Sequence, residues 1–252
     1  MVKQLDLMTW PEVEERLSSG VVAILPVGST EQHGPMGLIG TDTICARTVA
    51  QGAAEFAPAI VVPEIAYTPA PFNTSFPGTV SVSPSLLTAQ VFEVCSGLLD
   101  QGFLGVFILN GHGANLDPIA EALIKLPKGQ VVVESWWNPK SVNALRKDLY
   151  GDWEGMHATP SEVAITQHLH GRRNPGEAAK PPRKLSLDYI KSHVGDKHGP
   201  PDEHRAEFPD GRVGSHSALA TPEAGKAILE AATKDIGELV LAFHKSLLAK
   251  SD

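Results

Sequence analysis

Between an apolar run at residues 21–27 and a helix expected from Asp42, the chain reads Gly28-Ser29-Thr30-Glu31-Gln32-His33-Gly34-Pro35-Met36-Gly37-Leu38-Ile39-Gly40-Thr41-Asp42. Glu31 and His33 stand two apart, so in an extended segment both side chains leave the same face. Asp42 follows a glycine-rich turn that can fold back on them. One imidazole and two carboxylates on a short loop suit a divalent ion of the zinc, manganese or iron type. The plainer alternative is that Asp42 only favours the first turn of a helix starting near Thr41, where an acid meets the positive end of the helix dipole.

Two further stretches carry the same residue types. Asn110-Gly111-His112-Gly113-Ala114-Asn115 follows a second apolar run, and its glycines permit a sharp turn and close approach to another segment. His112 is then either a ligand facing the Glu31 loop or a turn residue bonded to the backbone, while Asn115 is expected to cap the next helix. In His157-Ala158-Thr159-Pro160-Ser161-Glu162, Thr159 and Glu162 have the form of a capping box, with Pro160 at the first helical position. Glu162 reads equally as a metal ligand projecting from that helix start, and His157 as a group that exchanges protons with a substrate. His168 and His170 are two apart on a helix and cannot share an ion. His193, His198, His204 and His216 fall in a loose segment and are read as solvated, with room for one to line a pocket. Of Trp136, Trp137 and Trp153, the adjacent pair cannot easily both point inward, so one is expected to wall a substrate pocket or an oligomer contact.

The elements that must position these groups alternate. A helix is expected from Thr9 to Gly20, with Pro11 just inside it, then a strand at 21–27, a helix from Asp42 to about Phe56 and a strand at 59–65. Residues 67–82, rich in Pro, Ser and Thr, read as a long loop or short strands, and loops of that length are often functional. A helix follows from Ser83-Pro84, with Leu87, Val91, Val94 and Leu98 on one face, closed by Gly102. Strands at 103–109 and 130–134 flank a helix at 116–126, and a further helix spans 159–169. Residues 174–214 form an excursion anchored by Leu185, Leu187, Tyr189 and Ile190. Thr221 caps a final helix, with Pro222 at its first position and Leu229, Ala232, Ile236, Leu239, Phe243 and Leu247 as its apolar stripe. This strand–helix alternation predicts an α/β fold with a parallel sheet covered on both faces, and ligands then bind beyond the carboxyl ends of the strands.

Composition narrows the classes. The 252 residues carry a net charge of −8 with no basic cluster beyond Arg172-Arg173, which argues against nucleic acid. Hydrophobic residues make up 42% and charged residues 20%, as in an ordinary globular domain, and no apolar stretch approaches the ~20 residues needed to cross a bilayer. Two cysteines, Cys45 and Cys95, exclude a disulfide framework and favour a reducing, cytoplasmic setting. Glu12, Glu14 and Glu15 near the start read against a signal peptide. There is no Gly-x-Ser-x-Gly elbow, no phosphate-cradling loop and no dinucleotide fingerprint.

Together the segments resemble the creatininase (creatinine amidohydrolase) family: Gly28 to Pro35 with Asp42, then Phe76-Pro77-Gly78-Thr79, Asn110-Gly111-His112-Gly113, and His157 with Glu162, in family order. The resemblance implies one three-layer α/β/α domain over residues 1–252, two divalent metal ions per chain (zinc first, manganese or iron also accepted), and a homo-oligomer, commonly a hexamer. It implies that Glu31, Asp42 and His112 hold one ion, and His33, Asp42 and a further carboxylate the other, so that Asp42 bridges. Glu162 matches a glutamate carried by other members and is assigned that second role; His157 matches the family's catalytic histidine. Two departures mark a diverged member. Creatininase proper has a glutamate where this chain has Ala114, and a second histidine where it has Met36, so creatinine is not the expected substrate. Related members act on formamido-pyrimidines, small peptides or cyclic sugar-derived ketones. The expected activity is hydrolysis of a small molecule's cyclic amide or formamide-type C–N bond by a metal-bridging hydroxide. The alternatives are a hydrolase or isomerase of a cyclic sugar-derived ketone or lactone, a single-metal lyase, and a non-catalytic metal-binding subunit.

Overall fold

In the computed structural model, residues 3–249 are described. Four strands, β1 (Val22–Val27), β2 (Ala59–Val61), β3 (Val106–Asn110) and β4 (Val131–Ser135), form one parallel sheet in the order β2-β1-β3-β4. The helices are α1 (Trp10–Ser18), α2 (Thr41–Ala53), α3 (Pro84–Asp100), α4 (Leu116–Lys125), α5 (Lys140–Tyr150), α6 (Pro160–His170), α7 (Leu187–Ser192), α8 (Pro201–Glu207) and α9 (Pro222–Leu248).

β1 is apolar throughout because both of its faces are covered. Val22 and Ile24 pack with residues of α2, α5, α6 and α9, while Ala23, Leu25 and Val27 pack with α3 and α4. Alternate side chains of a strand point to opposite faces, so an uninterrupted apolar run is what a doubly covered parallel strand requires. The layers are therefore α/β/α, as expected from the alternation. α9 crosses α6, α2 and α5 and closes one side of the sheet. Its buried residues include Ile228, Ala232, Ile236, Val240, Phe243 and Leu247, whereas Leu239, expected in the stripe, is 40% exposed: at 3.6 residues per turn, Val240 takes the inward place.

Register sets the site. Val27 pairs with Asn110, and Asn110 with Ser135, so the carboxyl ends of β1, β3 and β4 are level. The Glu31 loop, the His112 turn and the Trp136-Trp137 pair thus leave the sheet along one edge. β2 is shorter than the expected 59–65, ending at Val61 before Pro63, with only a lone bridge from Val27 to Ile65 beyond it. α5 lies where no element was assigned. Within 174–214, Leu185 reaches under Gly214, but Leu187 is 74% exposed and anchors nothing.

Candidate metal centre

Two glycines let three segments converge. A Cβ on Gly28 would lie 2.4 Å from the Thr43 backbone, and one on Gly111 would lie 2.4 Å from the Asp42 carbonyl oxygen. Only residues without a side chain let the ends of β1 and β3 press against the first turn of α2, and that contact carries Asp42 inward. The Gly28 carbonyl accepts from Thr68 Oγ1 at 2.8 Å and from Asn115 Nδ2 at 2.9 Å, locking the turn. Asn115 stands at the cap position of α4, as expected, but does not cap it through its side chain. Its side chain is spent on this tie and on Asn110 Oδ1, 3.1 Å away, and makes no capping bond.

Glu31, His33, Asp42, His112, His157 and Glu162 come together beyond the strand ends, all buried. His33 Nδ1 lies 3.1 Å from the Glu31 carbonyl oxygen and must donate to it. Its other nitrogen, Nε2, stands 2.9 Å from Asp42 Oδ1 and 3.9 Å from Glu162 Oε1. His112 is arranged the same way. Nε2 donates to the Pro69 carbonyl at 2.8 Å, and Nδ1 faces Glu31 Oε1 at 2.9 Å and Asp42 Oδ2 at 3.3 Å. Neither of those last two contacts is aligned as a hydrogen bond, and Glu31 Oε1 and Asp42 Oδ2 have no hydrogen-bond partner among the described residues. A neutral imidazole with one N–H committed to a carbonyl turns a lone pair to whatever lies opposite. Here that is carboxylate oxygen, so each contact needs a proton or a cation between its members.

The charge balance expresses the same need. Burial opposes a charge on His33, but Asp42, Glu162 and Glu31 outweigh it and raise its pKa to about 10. His112 is likewise raised well above its ordinary value, against burial, chiefly by Glu31. Burial pushes Glu162 up to about 7 and raises Glu31, while Asp42, flanked by both imidazoles, is held well below the usual carboxylate range despite its burial. Buried carboxylates whose charges are met only by shared protons form a cluster that suits a divalent ion. Among the described residues three sets have ligand atoms within 4.8 Å of one another: Glu31, His33 and His157; Glu31, Asp42 and His112; and His33, Asp42 and Glu162, the last two sharing Asp42.

Glu162 also closes the capping box at the start of α6, its Oε1 accepting from Thr159 N at 2.5 Å. Both readings of this residue thus meet in one side chain. His157 sits across from His33, ring centroids 4.6 Å apart. Its Nε2 donates to the Gln32 carbonyl at 2.7 Å and its Nδ1 is 3.8 Å from Glu31 Oε1. Burial, then the charge of His33, lowers its pKa to about 3, so its imidazole is neutral. The backbone bond from Val213 N to the His157 carbonyl at 3.3 Å pins this residue from the far end of the 174–214 segment.

The cluster forms the floor of a cavity of about 330 Å³ walled by Trp136, Trp137, Leu116, Met156 and Val194. Trp136 is buried and Trp137 half-buried, meeting edge to face at 5.7 Å, and both line the cavity while packing on the core. Several residues here carried no signal in the sequence. Asn73, in the 67–82 loop, donates to Glu31 Oε2 at 2.8 Å and orients that carboxylate. Asp196 enters the cavity from the 174–214 segment. His198 and His204, expected to be solvated, are buried against Phe72, because the segment folds down as a roof rather than trailing into solvent.

A family profile described as "Creatininase: Creatinine amidohydrolase" matches residues 6–240. Creatinine amidohydrolase of Pseudomonas putida is 28% identical over 254 residues, spanning 93% of this chain and 90% of that protein. A mycofactocin precursor peptide peptidase of Mycolicibacterium smegmatis is 36% identical over 155 residues, 59% of this chain and 58% of the peptidase. A 3-dehydro-scyllo-inosose hydrolase of Thermotoga maritima is 36% identical over 107 residues, 42% of this chain and 34% of that enzyme. A crystal structure of creatininase superimposes with a TM-score of 0.80 at 25% identity, covering 95% of this chain and 96% of that one. A manganese form of creatininase gives 0.74 and a variant described as the Zn-Zn type 0.73, both at 25% identity and both covering 95% of this chain, with 98% and 97% of their own. With its parallel sheet, its convergent ligand sets and a profile match over nearly its whole length, the chain belongs to the creatininase family of hydrolases.

Proposed function

We propose that residues 1–252 form one binuclear amidohydrolase domain that cleaves a C–N bond of a small molecule, of the cyclic amide or formamide type. Glu31, Asp42 and His112 hold one divalent ion; His33, Asp42 and Glu162 hold the other. The observation that carries this reading is Asp42, whose Oδ1 lies 2.9 Å from His33 Nε2 and whose Oδ2 lies 3.3 Å from His112 Nδ1. One carboxylate addressing two separately fixed imidazoles is the arrangement of a bridging ligand. The manganese and zinc forms of creatininase favour zinc or manganese here, and the mixed oxygen and nitrogen donors also accept iron.

Bound at these residues, the ion pair supplies Lewis-acid polarisation of the scissile carbonyl and a water acidified toward neutral pH. The chain's own groups do the rest. The Glu31 and Pro69 carbonyls fix the tautomers of His33 and His112, and Asn73 holds Glu31 in orientation. Trp136, Trp137 and Leu116 give the cavity an apolar wall beside these groups. His157, its Nε2 committed to the Gln32 carbonyl and its Nδ1 3.8 Å from Glu31 Oε1, would carry a proton from the attacking water to the leaving nitrogen.

Similarity to the inosose hydrolase and to the peptidase defines the other substrate classes worth assaying, cyclic ketones or lactones and short peptides. The test is elemental analysis of the purified chain, expected to give two ions, followed by turnover of the reconstituted protein on cyclic amides, formamides, lactones and short peptides. No ion, or turnover undiminished after complete chelation, overturns the reading. Assembly as a homo-hexamer is part of the same proposal and is checked by light scattering. A cytoplasmic location is proposed too; among the described residues no helix is long and apolar enough to cross a membrane.

A further inference from the structure

Asp196 reaches the centre from a segment that otherwise looks like an exposed connection. Its side chain is 10% exposed and lines the cavity. Its Oδ2 stands 3.8 Å from His112 Nδ1, the nitrogen that Glu31 Oε1 approaches to 2.9 Å and Asp42 Oδ2 to 3.3 Å. Three carboxylates therefore ring the free nitrogen of one histidine. Glu31, Asp42 and His112 are near enough together to close on one ion, and Asp196 stands beside that set rather than in it. A carboxylate so placed would meet an ion held by that set through a water.

The surroundings hold Asp196 there. Its backbone is left-handed, with φ of 54°, and its carbonyl accepts from His198 N at 2.9 Å. The next residue, Lys197, pairs with Asp117 at the start of α4, 3.3 Å away. The His198 side chain is 1% exposed; its Nε2 has no hydrogen-bond partner among the described residues and lies 3.8 Å from Asp196 Oδ1. Gly113 provides the space: a Cβ there would meet Asp196 Oδ2 at 2.2 Å. A side chain at residue 113 would compete with the carboxylate for that volume.

We propose that Asp196 is an outer carboxylate of the Glu31–Asp42–His112 half-site, orienting a water on the open side of the ion and raising that ion's affinity. The inference rests on the two-ion reading of the centre. Removing an outer partner of this kind typically weakens an ion by ~10–100-fold. The 174–214 segment thereby becomes part of the metal centre rather than a surface insertion.

The test uses the full chain, stripped of metal and titrated with Zn²⁺ against a chromophoric chelator, with melting curves of the metal-free proteins as the folding control. Wild type is expected to take two ions. Asp196→Asn is expected to weaken one of them ~10–100-fold and leave the other unchanged. Gly113→Ala displaces only the end of the Asp196 side chain, so it should weaken the same ion, and the double variant should be no weaker than Asp196→Asn alone, since both changes remove one interaction. Two ions in wild type with the same affinities in Asp196→Asn overturn this inference and spare the two-ion reading. No ion in wild type overturns both.

Discussion

Filling the centre with metal at neutral pH must expel protons. His33 Nε2 shares a proton with the carboxylates around it and has a pKa of about 10. At pH 7 an ion competing for that nitrogen meets a penalty of ~10³-fold, about 4 kcal/mol, three pKa units at about 1.4 kcal/mol each. The sign follows from the raised pKa. The proton is held more firmly as pH falls, so the ion's affinity must rise with pH, about tenfold per unit between pH 7 and 9, and level off near the His33 pKa. His112, also raised, gives up a second proton from the other half-site. Glu162, pushed up to about 7, adds part of a third at neutrality and steepens the dependence below it. Isothermal titration of metal-free protein with Mn²⁺ or Zn²⁺, in paired buffers of different ionisation enthalpy at pH 6, 7 and 8, counts these protons. We expect at least two per chain at pH 7. Release of fewer than one, or an affinity flat from pH 6 to 8, would refute the claim that both histidines turn their free nitrogens to carboxylates in place of a cation.

Other outcomes follow from the same geometry. His157→Ala should keep both ions, by elemental analysis, while turnover falls ~10²–10⁴-fold, the usual size of a general acid–base contribution. Thr159→Ala removes the hydroxyl that accepts from Glu162 N at 3.3 Å and should cost about 1 kcal/mol in denaturant unfolding, with weaker metal retention because Glu162 also faces His33. Gly225→Ala places a Cβ 1.9 Å from the Ala164 carbonyl oxygen where α9 crosses α6. We expect it to destabilise by ~1–3 kcal/mol, read as a fall in Tm of ~2–4 °C per kcal/mol for a chain of this size.

The sheet was legible because β1, β2 and most of β3 are apolar on both faces and short, although β3 begins at Val106 rather than at residue 103, and its main helices because Pro and Ser or Thr mark their starts, as at Ser83-Pro84 and Thr221-Pro222. α5 was not, since a mostly polar stretch leaves Val142 and Tyr150 as its only buried residues. The six residues that converge here were picked out by residue type, spacing and resemblance, because each sits next to a strand end or helix start that local sequence announces. The residues that hold them were not. Asn73, Asn115 and Asp196 act across 42, 87 and 84 positions of chain, on Glu31, Gly28 and His112 respectively, and nothing in their own neighbourhoods signals a distant partner. His198 and His204 misled for the same reason: a polar, proline-rich stretch looks solvated unless its packing against Phe72 is known.

The most direct trial of the account is a crystal structure of the metal-reconstituted chain with anomalous scattering collected at the metal edge. Two peaks about 3.5–4 Å apart are expected, one against Glu31, Asp42 and His112, the other against His33, Asp42 and Glu162, with an Asp42 oxygen on each. A single peak, or peaks that leave Asp42 on one ion or none, contradicts the bridged pair on which the proposed chemistry depends.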